Sequence, residues 1–109
     1  MPSLTRRTAL AALATAPLAL IASRAAAATY NVDIANFAFA PATLDIAVGD
    51  TVIFTNSDGA PHTATAVDGS FDTGRLNRND SGQVTITAAG TYDYICTFHP
   101  SMKGVITAS

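Results

Sequence analysis

From residue 29 onward, apolar and polar positions alternate along the chain. Tyr30, Val32 and Ile34 alternate with Asn31 and Asp33, and Leu44, Ile46 and Val48 with Asp45 and Ala47. Val52 and Phe54 alternate with threonines, as do Val84 and Ile86. Tyr92, Tyr94 and Cys96 follow the same rule, and Val105 and Thr107 close the chain. Such alternation, rich in Val, Ile, Thr and Tyr, predicts strands with one buried face. Gly49-Asp50, Asp58-Gly59, Asp68-Gly69, Ser81-Gly82 and Ala89-Gly90 punctuate the pattern as turn signals. No stretch after residue 28 sustains a helical period. The segment 68–80 has the weakest pattern and reads as a long loop pinned by Phe71 and Leu76. The expected fold is all-β, with about seven strands in an antiparallel sandwich or Greek-key barrel.

Residues 1–28 obey a different rule. Arg6 and Arg7 precede an uncharged Ala/Leu-rich run over 9–22. That run is shorter than the about 20 residues needed to span a bilayer. Ala26, Ala27 and Ala28 offer a small-residue cleavage site. The segment 1–28 is therefore expected to be an export signal, cut before Thr29, leaving one domain over 29–109. Thr5 before the arginine pair resembles a twin-arginine signal, but Ala9 stands where a bulky apolar residue is usual. The twin-arginine and general secretory routes both stay open. No later apolar run is long enough for a membrane anchor.

Composition sharpens this. The 109 residues are 49% hydrophobic and 13% charged, which fits one folded domain and not a disordered tail. The formal net charge of −2 hides an acidic domain: after residue 28, eight aspartates face only Arg75, Arg78 and Lys103. Without a basic run, a nucleic-acid partner is not expected. A single Cys excludes an intramolecular disulfide, and with no Trp the antibody-like immunoglobulin sandwich does not fit.

That lone Cys has company. Cys96, His99 and Met102 lie within seven residues, and the other histidine is His62, after Phe54. Taken singly, each suits a bland role: an inert core thiol, a satisfied polar residue, a core filler. Together they are two imidazoles, a thiolate and a weak axial thioether, the ligand set of a mononuclear blue-copper centre. Structural zinc prefers four Cys or His ligands, and only three are present.

The stretch GTYDYICTFHPSMKG resembles the copper-binding loop of the cupredoxin family of blue-copper proteins. Its Cys96-x-x-His99-x-x-Met102 spacing is similar to the short loop of the amicyanins. Upstream, Phe39-x-Pro41, then Leu44 to Phe54 with Asn56 and His62, resembles the plastocyanin and amicyanin strand pattern. The resemblance covers 29–109. It implies a Greek-key sandwich of seven to eight strands with one copper ion, held by His62, Cys96, His99 and Met102. It implies that Asn56 ties the two ligand loops together, and Tyr92 is expected to form a tyrosine corner. Residue 98 is Phe where related loops carry Pro, which restores a backbone N–H two residues after Cys96. The expectation is that this N–H donates to the Cys96 sulfur.

The function so implied is that of a periplasmic, monomeric electron carrier, not an enzyme. A partner such as a periplasmic dehydrogenase or a c-type cytochrome would dock near His99, Phe98 and Pro100. A copper-storage or chaperone protein with the same ligands is the alternative, marked by weaker binding and no strong blue colour. A copper enzyme would need a second metal site, and no histidine is left to build one.

Overall fold

Eight strands account for the alternating segments: β1 Thr29–Ala35, β2 Ala38–Ala40, β3 Thr43–Ile46, β4 Thr51–Asn56, β5 Thr65–Ala66, β6 Ser81–Thr85, β7 Gly90–Ile95 and β8 Lys103–Ala108. They come from a computed structural model that describes residues 26–109. The export signal expected over 1–28 lies, up to residue 25, outside the described residues.

One sheet has the order β2-β1-β4-β6 and the other β3-β8-β7-β5. The strands are not all antiparallel as expected: β1 runs parallel to β4, and β3 parallel to β8. The cause is connectivity. The chain crosses to the other sheet at β3 before returning as β4, so β4 reaches β1 without a hairpin.

The inward faces fit the sequence pattern. Val32, Ile34, Val52, Phe54, Val84 and Tyr94 are all buried. Phe39, Phe54, Phe71 and Tyr94 form an aromatic centre, with Phe39 and Phe54 at 4.7 and 5.4 Å from the Tyr94 ring. Removing a ring such as Phe54 would cost about 3–5 kcal/mol. Phe71 and Leu76 are buried and pin the 68–80 segment, which also bridges His62 through Leu76. The Tyr92 hydroxyl donates to Ala88 O, the expected corner.

In β8 the parity is the reverse of the Val105 and Thr107 reading. Gly104, Ile106 and Ala108 face inward, while Val105 and Thr107 are only half-buried. Gly104 pairs with Tyr94 across the sheet, and a Cβ on it would lie 2.2 Å from the Tyr94 ring. The ring of Tyr94 occupies the space that a side chain at 104 would need.

Strand β4 leads into the loop that carries His62, and β7 leads directly to Cys96. The two strands belong to different sheets, so the ligand-bearing segments meet at one end of the sandwich.

Candidate metal centre

Cys96 follows β7 and is fully buried. The chain then turns tightly back into β8. His99 N–H donates to Cys96 O (3.3 Å), Met102 N–H to His99 O (2.9 Å), and Cys96 N–H to Met102 O (3.2 Å). The short spacing is thus closed by its own backbone. It presents Cys96 and Met102 inward, both buried, and leaves His99 half-buried at the surface.

His62 arrives from the other side and is fully buried. Its backbone is held in a two-way bridge with Leu76: His62 N–H to Leu76 O at 3.0 Å, and Leu76 N–H to His62 O at 2.8 Å. Its Nδ1 lies 3.6 Å from Cys96 Sγ, and His99 Nδ1 lies 3.8 Å from the same sulfur. The ligand atoms of His62, Cys96 and His99 all fall within 4.8 Å of one another.

A thiol has one proton and cannot donate to both imidazoles. The Thr63 N–H also points at the sulfur, at 3.4 Å. Convergence of two imidazole nitrogens and an amide on one sulfur suits a thiolate holding a cation. Metal–nitrogen and metal–sulfur bonds of about 2.0–2.3 Å set trigonal or tetrahedral donors about 3.5–3.7 Å apart. The His62 separation of 3.6 Å falls within this range, and the His99 separation of 3.8 Å lies just beyond it. A thiolate, two imidazoles and a buried thioether suit copper better than hard cations or structural zinc.

The far nitrogen of His62, Nε2, is 2.9 Å from Asp58 Oδ2. A carboxylate only accepts, so Nε2 carries the proton and Nδ1 keeps its lone pair toward the sulfur. The Phe37 amide, with smaller contributions from the Asn36 amide and His62, holds the Asp58 carboxyl below the usual carboxylate range against the opposing effect of burial.

Two sequence expectations change here. Asn56 is fully buried, but it does not join the ligand loops. Its side-chain amide donates to Ala60 O and Leu76 O, both at 2.9 Å, and its Oδ1 accepts from Asp58 N–H. It braces the 57–61 turn against the segment at Leu76. The link between ligand segments is Thr63, whose Oγ1 accepts from Thr97 N–H at 2.9 Å while its own N–H faces Cys96 Sγ. The backbone donor to sulfur is therefore Thr63 and not Phe98, which lies out at the loop tip with Arg75 5.9 Å from its ring.

Three residues at the site carry no mark of it in the sequence: Thr63, Asp58 and Phe37. Thr63 stands next to a histidine, Asp58 reads as half of a turn signal, and Phe37 falls between two strands. Phe37 is 51% exposed and sets its ring edge-on against both imidazoles, 5.0 Å from His62 and 4.8 Å from His99.

A family model described as a Cupredoxin-like domain matches residues 8–108. Amicyanin from Paracoccus denitrificans is 38% identical over 80 residues, covering 69% of this chain and 61% of that protein. The chain thus spans less than two thirds of that relative. Amicyanin-alpha from Methylorubrum extorquens is 36% identical over 101 residues, covering 88% of this chain and 84% of that protein. Among solved structures, a Cu(I) amicyanin variant superposes with a TM-score of 0.70 at 31% identity, over 74% of this chain and 82% of the other. A copper-containing nitrite reductase from Thermus scotoductus matches with a TM-score of 0.69 at 33% identity, over 74% of this chain but 22% of that one.

Proposed function

Since the chain belongs to the cupredoxin-like family, we propose that it is a one-electron carrier whose single copper ion is held by His62, Cys96, His99 and Met102. When bound, copper supplies a couple between Cu(I) and Cu(II). The chain supplies the rest. Cys96 and Met102 offer soft donors, and the imidazoles suit both oxidation states. Burial of His62, Cys96 and Met102 keeps water out, and the hydrogen bonds through Thr63 hold the donors in place. A cage that does not move between states keeps reorganisation small.

His99 is the route outward. It is half-buried, and around it Phe37 and Phe98 are 51% and 47% exposed. An imidazole framed by exposed aromatics suits brief docking with a redox partner through a small interface. A periplasmic dehydrogenase or a c-type cytochrome is the class of partner proposed, and the domain would act as a monomer. Carrier is favoured over enzyme because the chain has only two histidines, both in this one cluster. Export to the periplasm, after removal of the N-terminal signal, belongs to the same reading.

The observation that carries the proposal is the convergence of His62 Nδ1 and His99 Nδ1 on Cys96 Sγ. Adding Cu(II) to the protein should give one equivalent of binding and an intense blue thiolate charge-transfer band. Cys96→Ala should abolish the band. A colourless, weakly bound copper would instead mark a storage or chaperone role, and a blue Cys96→Ala variant would refute the ligand set.

A further inference from the structure

Asp58 lies in the turn after β4, four residues before His62. Its carboxylate is shared three ways. Oδ1 accepts the Asn36 N–H at 2.8 Å, while Oδ2 accepts the Phe37 N–H at 2.9 Å and faces His62 Nε2 at 2.9 Å. Among the described residues its ion-pair partner is His62, not a lysine or arginine.

The two amides belong to the turn joining β1 and β2, where Ala35 pairs with Ala38. Both turn residues are left-handed, with φ of 55° at Asn36 and 56° at Phe37. Two-residue hairpins of this kind favour Asn followed by Gly. Asn tolerates the conformation, but a bulky aromatic is strained there by on the order of 1 kcal/mol or more. The strained residue is the one whose ring covers both imidazoles. One carboxylate therefore fixes both the turn that carries the cover and the far nitrogen of a buried ligand.

We infer that Asp58 is a positioning residue for the metal centre, setting how strongly His62 donates through Nδ1 while holding Phe37 against both imidazoles, and so tuning the reduction potential. The inference rests on the ligand assignment proposed above. A carboxylate on the far N–H of an imidazole makes the other nitrogen more basic. Cu(II) depends on that donation more than Cu(I), and a nearby fixed negative charge also favours the higher oxidation state. Asp58 thus lowers the potential. Phe37 acts in the opposite direction, because an apolar cover that excludes water favours the less charged state.

The opposite signs make the test. The potential is measured by voltammetry at fixed pH on the copper-loaded protein, on Asp58→Asn and on Phe37→Gly. Asp58→Asn keeps the shape and removes the charge. It should lower the ratio of Cu(II) to Cu(I) affinity about tenfold, which raises a one-electron potential by about 59 mV. Phe37→Gly relaxes the turn and keeps the carboxylate, and its potential should fall. If Asp58 mattered only as a turn staple, Asp58→Asn would admit water and fall as well. A fall or no change in Asp58→Asn overturns the inference, and a rise in Phe37→Gly overturns the role of its ring.

A copper-free measurement stands beside it. Hydrogen exchange by NMR should show the His62 Nε2–H and the Asn36 and Phe37 amides protected together, and all three released in Asp58→Ala. An Nε2–H that stays protected in Asp58→Ala refutes the carboxylate link even if the variants load no metal. If the parent itself binds no copper as a blue site, the proposed function fails, whereas this exchange test still decides the Asp58 contact.

Discussion

At the scale of single residues, burial and polarity had to be reconciled at Tyr94. Its ring lies 1% exposed in the aromatic centre, and burial pushes its phenol well above the ordinary value. The folded chain therefore keeps the Tyr94 proton to higher pH than the unfolded chain, whose tyrosines ionise near pH ~10. Below that pH both states hold the proton and Tyr94 adds no pH dependence. Above it the unfolded state binds fewer protons, so stability falls as pH rises. Urea midpoints measured between neutral and strongly alkaline pH should show this fall, and Tyr94→Phe should flatten it. An equal alkaline slope in the variant would assign the effect to other groups. Thr63 makes a different point at the same scale. Nothing in its letter marks it, yet it joins Thr97 and the Cys96 sulfur to the His62 segment. Its role depends on which strands end beside it.

At the scale of elements, β7 and β8 are matched by a large residue against none. Tyr94 sits opposite Gly104, and the missing Cβ is what leaves room for the outer end of the ring. Gly104→Ala should cost about 1–3 kcal/mol through overpacking, seen as a lower urea midpoint, and an unchanged midpoint would mean that the ring can shift freely. Strand β1 carries a second expectation. Ala28 N–H donates to the buried Asp50 carboxylate at 2.8 Å, and Ala28 O accepts the Thr51 N–H at 3.0 Å. The ladder between β1 and β4 thus begins one residue before the expected cut. A signal removed after Ala27 would leave the new α-ammonium of Ala28 facing Asp50. With the export proposed above, intact mass of the processed chain should show Ala28 as the first residue, and a chain starting at Thr29 would show that the strand forgoes that contact.

At the scale of the whole molecule, an acidic domain carries an exposed apolar patch. Eight aspartates outnumber three cations beyond residue 28, so two copies repel at long range. The exposed Phe37 and Phe98 flank His99, with Arg75 beside Phe98. Electron self-exchange between two copies should use this patch. Its rate, read from NMR line widths in half-reduced samples, should rise with salt as the repulsion is screened. Phe98→Ser should slow it, since truncating a docking aromatic costs on the order of 1–2 kcal/mol, about tenfold. A rate indifferent to Phe98 would move the docking surface elsewhere.

The period-two alternation determined that the domain is built of strands, and which residues of β1, β4 and β7 face inward, because a strand's side chains must alternate between faces. The Cys96-x-x-His99-x-x-Met102 spacing likewise placed a thiol, an imidazole and a thioether on one short turn, since three-residue spacing keeps them together whatever the rest of the chain does. The parity of β8 was not legible, because Gly104 has no side chain to announce that it faces the core and only the Tyr94 ring makes it do so. The parallel pairings were hidden for a related reason: alternation is a property of one strand, whereas pairing depends on where the chain crosses between sheets. Asp58, Thr63 and Phe37 belong to this second class. Asp58 to Phe37, and Thr63 to Cys96, are contacts between segments more than twenty residues apart. The first exists only once β4 lies parallel beside β1 in one sheet, and the second only once the two sheets have met; a hydrogen bond's partner is decided by distance in space and not along the chain.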